Sequence, residues 1–280
     1  NINPKYLVKR LLNSVRPLVY TSPTMLYGLI RLLPKDKNIH AAMTSGTIMP
    51  KQRFELLAPR IDHFFQQYGC SEAGCIAVNP NLSSSVDVGI PLPHLNVSAG
   101  KNADNPAEII VSTLQGHQIH TQDLGFFHHD ALTNEATDNR ADTGTDDDTK
   151  PQMLSFLSRL DDTIIVAGLN VYPQEIEDII LAMPNINDAV VFKIDDPYAG
   201  QRVCLQYSAD TALDPILIRE WCTQHLATFQ LPQFLIQVEQ IERLANGKVN
   251  RKHLAAQFEQ ERAARKNTLN EQASQTATAT

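Results

Sequence analysis

The chain has 280 residues, 42% hydrophobic and 20% charged, which excludes a disordered or fibrous protein and allows one large or two ordinary cores. Its net charge of −7 is concentrated between positions 130 and 150, where seven acids and two bases lie, and the near-neutral remainder excludes a basic nucleic-acid face. No run reaches the roughly eighteen apolar residues of a membrane span.

Cys70, Cys75, Cys204 and Cys222 include no C-x-x-C pair, so buried or half-buried thiols in a reducing, cytoplasmic compartment are expected. The start, Asn1 to Lys5, is neither a signal peptide nor an initiator methionine, and a piece of a longer protein is expected. Leu7, Val8, Leu11, Leu12 and Val15 form one helical face, with Lys9 and Arg10 opposite. Leu18 to Tyr20 reads as a buried strand and Thr21-Ser22-Pro23 as its exit. Thr24 is then placed to cap a helix with Leu26, Leu29, Ile30 and Leu33 as its stripe. A βα unit of this kind suits a parallel sheet.

A small-residue turn, Thr44-Ser45-Gly46-Thr47, precedes Pro50, and the apolar pair Phe64-Phe65 leads into Gln66-Gln67-Tyr68-Gly69-Cys70-Ser71-Glu72. Glu108 to Val111 reads as a strand, Val88 to Pro93 and Thr121 to Gly125 as turns, and His128 and His129 as surface residues. The acidic stretch 130–150 reads as a disordered insertion. Thr163 to Val166 is a β-branched strand, broken at Ala167-Gly168. Pro173 opens a helix whose stripe is Ile176, Ile179, Ile180 and Met183, closed by Pro184. Strands at 189–192 and 203–207 follow, and Asp214-Pro215 starts a helix that should bury Leu217, Ile218, Trp221 and Leu226. A glycine turn at Gly247 presents Lys248, and the low-complexity residues beyond Phe258 read as a disordered tail.

These segments resemble the adenylate-forming enzymes, the AMP-binding acyl- and aryl-CoA synthetases and related ligases. Their hinge pattern is G-R-x-D-D-x-I-K-x-x-G-x-[RN]-[IV]-x-P-x-E-[IV]-E. Arg159, Asp161, Asp162, Ile164, Gly168, Asn170, Val171, Pro173, Glu175, Ile176 and Glu177 match it, with Ser158 and Ile165 departing. Ser45-Gly46-Thr47 resembles S-G-[GAT], Tyr68 to Glu72 resembles Y-G-x-[TS]-E, and Gly247-Lys248 through Arg251 resembles G-K-x-x-R. Thr121-Gln122-Asp123 stands where the family has T-G-D, and Gln230-Leu231-Pro232 stands for its K-x-P. The match runs from Tyr6 to Leu254 and covers only the later part of the family. The family's phosphate loop is not among these residues.

The resemblance implies an α/β and α+β architecture. Residues 1–160 would be the C-terminal portion of the large AMP-binding domain, 161–258 the small mobile lid domain, and 259–280 a disordered tail. It implies ATP-dependent activation of a carboxylic acid to an acyl-adenylate, then thioester formation with coenzyme A or the phosphopantetheine thiol of an acyl carrier protein. The missing N-terminal half would be a further partner; nucleic acid would not. In this reading Ser45, Gly46 and Thr47 lie along the nucleotide, Tyr68 packs against adenine with Gly69 also in the cofactor site, Ser71 bonds the α-phosphate and Asp123 the ribose. Glu72 would hold Mg²⁺, Arg159 would line the cofactor site, Asp161 would be the hinge, Gly168 would face the pantetheine arm and Lys248 would be catalytic. The alternative is a truncated, non-catalytic relative that binds a nucleotide or a partner.

Overall fold

The computed structural model describes residues 3–113, 116–129, 152–244 and 247–278, with side chains described up to 265. The acidic stretch 130–150 lies outside these described residues. The chain separates into two units, Asn1–Asp161 and Asp162–Thr280.

The first unit opens with α1 (Pro4–Leu12), β1 (Leu18–Thr21), α2 (Pro23–Leu32), β2 (Ile39–Thr44) and α3 (Lys51–Leu57). A short 3₁₀ turn leads into β3 (Ile61–Cys70), then β4 (Gly74–Asn79), β5 (Asp87–Pro91), β6 (Asn96–Ser98), β7 (Ala107–Ser112), β8 (Gln118–His129) and β9 (Gln152–Arg159). Among the described residues these strands run β1-β2-β3-β4-β5-β9-β8-β7-β6. Among these described strands β1, β2 and β3 pair in parallel, the arrangement that βα crossovers produce.

Leu26, Leu29, Met49 and Leu57 pack on Ala42 and Phe64 beneath α2 and α3; full burial of each leucine contributes about 1.5–3 kcal/mol. Ser22, not Thr24, caps α2, its hydroxyl accepting from the Met25 amide at 3.4 Å, because Pro23 already occupies the first helical position. The apolar face predicted up to Val15 stops with α1 at Leu12, and Val15 is exposed. Leu18 and Tyr20, predicted as buried, are also exposed; among the described residues β1 is the last strand of the sheet and pairs with β2 alone.

Tyr68, Ile76, Val88, Ile109, Leu154 and Phe156 form a second core. Val88 to Pro91, read as a turn, belongs to β5. His128 is half-buried rather than a plain surface residue, its Nε2 lying 2.9 Å from Asp87 Oδ1.

The second unit holds β10 (Ile164–Val166), β11 (Leu169–Val171), α4 (Pro173–Leu181), β12 (Ile186–Asp196), β13 (Gly200–Ala209), α5 (Pro215–His225), β14 (Phe234–Val238) and α6 (Arg251–Thr278). Ala167 and Gly168 both have positive φ, +50° and +85°, as a two-residue type I′ hairpin turn requires. The break read after Val166 is thus the tip of a hairpin whose returning strand is β11.

Ile176 and Ile180 of α4 and Ile218 and Cys222 of α5 pack on one set of sheet residues that includes Val191, Val203 and Leu205. Leu254 packs with Val190, Phe192 and Cys204 in the other set. Asp214 caps α5 as predicted, accepting from the Ile216 amide at 2.9 Å. Leu217, expected inside, is exposed. Where a disordered tail is read from 259, the structure carries α6 on to Thr278. Ala, Gln, Glu, Arg and Lys fill much of that stretch and favour helix without needing an apolar face.

Candidate functional site

In open α/β sheets ligands bind beyond the carboxyl ends of the parallel strands. Here two motif segments emerge at such ends. Ser45-Gly46-Thr47 follows β2, and Ser71-Glu72 follows β3, its parallel neighbour. The Ser45 hydroxyl lies 2.7 Å from Tyr20 OH, which donates to Gln67 Oε1 at 3.1 Å. Gly46 adopts φ +87°, and an added Cβ would meet nothing within 4 Å, so backbone conformation rather than crowding within this chain calls for glycine there.

Ser71 and Glu72 are exposed in the turn between β3 and β4. The hairpin beneath them is tight: a Cβ on Gly69 would lie 2.0 Å from the Gly74 carbonyl oxygen. Gly69 is therefore held to glycine by its own hairpin, whatever it does toward a ligand.

Tyr68, on β3, donates its phenol hydrogen to Asp123 Oδ2 at 2.8 Å. Asp123 lies on β8, with β4, β5 and β9 intervening in sheet order. In a flat sheet that separation would be roughly 19 Å, at about 4.8 Å per strand. The sheet therefore curls, enclosing the core around Leu154 and Phe156 and bringing its distant strands face to face. Burial first, and then the charge of Asp123, push the Tyr68 phenol well above its usual pKa. Tyr68 therefore stays protonated and remains a donor.

A bulge aims Asp123. The β7–β8 register slips between Glu108 and Ile110, and Gln122 takes φ +61°, a conformation that favours glycine. The glutamine that stands in place of the family's glycine thus holds a conformation that glycine adopts freely. Glu108 Oε1 accepts both the Gln122 amide at 3.0 Å and its side-chain amide at 3.1 Å. Thr121 Oγ1 donates to the Ile109 carbonyl at 2.7 Å and accepts from the Asp123 amide at 3.2 Å. Its hydroxyl thus serves polar groups that the slipped ladder leaves open. The hydrogen bond from His120, the largest influence, lowers the Glu108 pKa.

Asp123 and Arg159 are register partners across β8 and β9. Arg159 Nη1 donates to Asp123 Oδ1 at 3.2 Å, and Nε to Asp161 Oδ1 at 3.2 Å. The first unit thus gathers Ser45, Tyr68, Ser71, Glu72, Asp123, Arg159 and Asp161 around β3 and the β8–β9 pair. Asp123 is nearly buried, and a carboxylate fixed by a phenol and a guanidinium suits paired hydroxyls such as those of a ribose. Among the described residues no group of three or more His, Cys, Asp or Glu could hold a metal. An exposed single carboxylate at Glu72 fits a Mg²⁺ that shares ligands with substrate phosphates, and does not fit a protein cage.

In the second unit Gly168 is exposed at the hairpin tip, with nothing within 4 Å of an added Cβ. Lys248 is exposed in a loop closed by bonds from Leu244 N to Lys248 O and from Gly247 N to Leu244 O, each 2.8 Å. Beyond that loop Arg251 is enclosed. Its Nη2 donates to Glu177 Oε1 at 2.7 Å, Nη1 to Asp162 Oδ2 at 3.2 Å and Nε to the Val191 carbonyl at 2.9 Å. Burial opposes its charge, yet Glu177 and Asp162 outweigh that and raise its pKa. Gln230, in the family's Lys position, donates to Glu175 Oε2 at 2.9 Å, and burial raises the Glu175 pKa.

Reading the sequence for sites passed over Thr121, Glu108, Asp188 and Arg243. The threonine of T-x-D was a usable signal. The other three gain meaning only from distant partners.

Residues 175–248 match the family described as the AMP-binding enzyme C-terminal domain. Over 254 residues the chain is 34% identical to a 3,4-dihydroxybenzoate–[aryl-carrier protein] ligase of Bacillus anthracis, covering 91% of this chain and 56% of that protein. ATP-bound MatB from Rhodopseudomonas palustris aligns with a TM-score of 0.74 at 18% identity, over 92% of this chain and 54% of that one. The o-succinylbenzoate CoA synthetase MenE of Bacillus subtilis, in complex with an acyl-adenylate, aligns with a TM-score of 0.69 at 19% identity, over 91% and 54%. At these identities the likeness of structures is one of fold. The chain spans about half the length of the relatives it matches.

Proposed function

Because this chain belongs to the adenylate-forming enzymes and matches their C-terminal part, we propose that its protein is an acid–thiol ligase activating a carboxylic acid with ATP. The observation that carries this reading is the placement of Ser45–Thr47 and Ser71-Glu72 beyond the carboxyl ends of the adjacent parallel strands β2 and β3, with Tyr68 of β3 joined to Asp123 and Arg159 of the antiparallel β8–β9 pair. The substrate carboxylate oxygen attacks the α-phosphorus, the bond to the β-phosphate oxygen breaks, and pyrophosphate leaves. A thiol then attacks the acyl carbon and AMP leaves.

Both reactants of the first step are anions, so positioning and positive charge supply most of the acceleration. Asp123 accepts from the ribose hydroxyls, with Tyr68 and Arg159 fixing its orientation. Ser71 orients the α-phosphate, and Lys248 contributes an ammonium as charge develops. Mg²⁺ held at Glu72 would neutralise phosphate charge when bound.

The first unit acts as the nucleotide-binding part and the second as the mobile lid, with Asp161 as the hinge where few torsions change. Gly168 serves the thiol-bearing arm. The name of the Bacillus relative favours an aryl acid and a carrier-protein thiol over coenzyme A.

The test separates the half-reactions in the full-length protein. Lys248→Ala should slow acyl-adenylate formation by roughly 10²–10³, as removal of one transition-state donor does, and leave thiol transfer from supplied acyl-adenylate unchanged. Equal loss in both steps would overturn the role of Lys248. AMP binding with no adenylation by the unaltered protein would favour a non-catalytic nucleotide-binding relative.

A further inference from the structure

Lys248 belongs to a loop whose support comes from a residue five positions earlier in sequence. Arg243 Nη2 donates to Asp188 Oδ1 and Oδ2 at 2.9 and 2.7 Å, and its Nε to Oδ2 at 3.2 Å. Its remaining arm, Nη1, donates to the Gly247 carbonyl at 3.1 Å. That carbonyl is part of the peptide joining Gly247 to Lys248. Gly247 itself takes φ +83°, so the loop turns sharply just before the lysine.

Asp188 stands on β12, paired with Ser208 beside a register shift. Both side chains are mostly enclosed, 26% and 20% exposed. The carboxylate is therefore seated on the sheet, and the guanidinium transmits that fixed position to the loop. A planar fork can hold a carboxylate through two nitrogens and still present a third toward a carbonyl, which an ammonium on a flexible stem cannot do with the same geometry.

We propose that Arg243, seated on Asp188, is a positioning residue that fixes the Gly247–Lys248 peptide and so sets where the Lys248 ammonium is presented. The inference rests on the role given to Lys248 above. Arg243 touches no reactant in this reading; it acts through the lysine, so its value depends on the lysine being there.

That dependence supplies the test. Acyl-adenylate formation and thiol transfer are measured in the full-length protein for Arg243→Lys, Lys248→Ala and the double variant, with Trp221 fluorescence confirming that each is folded. Arg243→Lys keeps the charge and loses the fork. It should lower kcat for adenylation by roughly 10- to 100-fold, the scale of a small misplacement at a reacting centre. KM for ATP and acid should be unchanged, as should thiol transfer. In the Lys248→Ala background it should have no further effect, because the two residues act as one unit.

If Arg243→Lys does not fold, Asp188→Asn takes its place in the same cycle. Normal adenylation by Lys248→Ala would overturn the parent reading and this one with it. A slow Lys248→Ala combined with an Arg243→Lys at the unaltered rate would overturn the clamp alone. So would an Arg243→Lys effect of equal size with and without the lysine.

Discussion

Arg159 stands half-exposed at the end of β9 between Asp123 and Asp161, whereas Arg251 is enclosed by Asp162, Glu177 and the Val191 carbonyl. The chemistry is the same, one guanidinium with two acids. The surroundings of the guanidinium are not: the Arg159 side chain is 47% exposed and that of Arg251 21%, while their acids Asp123 and Glu177 are alike at 10% and 8%. Water screens the Arg159 guanidinium and Asp161, so their bonds rearrange at low cost, while the enclosed Asp123 also keeps the Tyr68 hydrogen bond. The second set has little water to replace a lost partner. It ties the start of α6 to α4 and β12, and the Glu177 carboxylate also accepts the Val191 amide at 2.8 Å. The two sets therefore differ in the freedom left to the guanidinium and not in the enclosure of the acid it holds.

The sharpest way to break this contrast is to delete each guanidinium. Arg251→Ala leaves two enclosed acids without their cation and should cost about 3–5 kcal/mol, whereas Arg159→Ala, which removes a half-exposed guanidinium from an Asp123 still bonded to Tyr68, should cost less, about 1–3 kcal/mol. The single tryptophan, Trp221, lies in the second unit with its indole N–H on the Ile179 carbonyl. Urea unfolding followed by its fluorescence reads the first cost, and far-UV circular dichroism follows the second variant. Similar losses for the two would remove the distinction.

A smaller effect is expected at the bulge that aims Asp123. Gln122→Val forces a β-branched residue into positive φ and should cost about 1–3 kcal/mol. Gln122→Gly, which suits that φ but loses the side-chain bond to Glu108, should stay within about 1 kcal/mol of the unaltered protein. Urea midpoints compare the two, and a valine variant as stable as the glycine variant would mean that Gln122 does not hold this conformation in solution.

The smallest effect is a titration. The Glu108 pKa is lowered in the fold, so its contribution is complete above the unfolded carboxylate value, about 4.3, and is lost as pH falls through the folded value. Arg251, with its pKa raised, keeps its charge across that range. The amide resonance of Gln122, bonded to Glu108, should therefore move with the lowered Glu108 titration as the solution is acidified. A Gln122 amide that fails to follow Glu108 would show that this hydrogen bond does not brace the bulge.

Much of the local structure was legible from the chain. Pro173 with the isoleucine spacing behind it, Asp214-Pro215, and the stripe Leu26–Leu29–Ile30 state their helices within one or two turns, because helix signals are carried by residues three or four apart. Strand edges were less legible. Leu18 and Tyr20 look like core in sequence, yet they are exposed on a strand that is last in the sheet among the described residues, since β propensity does not say which neighbour a strand will find.

The motif residues Tyr68, Asp123, Arg159 and Lys248 were likewise read from the chain, each with its segment. What joins them was not. Tyr68 meets Asp123 across 55 positions, Arg243 meets Asp188 across 55 and Arg251 meets Glu177 across 74. Sequence alone determined which side chains are available and which short segments turn, coil or extend. Only the tertiary structure decided their partners, because a hydrogen bond between distant residues depends on sheet curvature, strand register and bulges that no single segment encodes. Gln122 marks that boundary: its chemistry argues against a left-handed turn, and Glu108 on the neighbouring strand supplies the two bonds that hold it there.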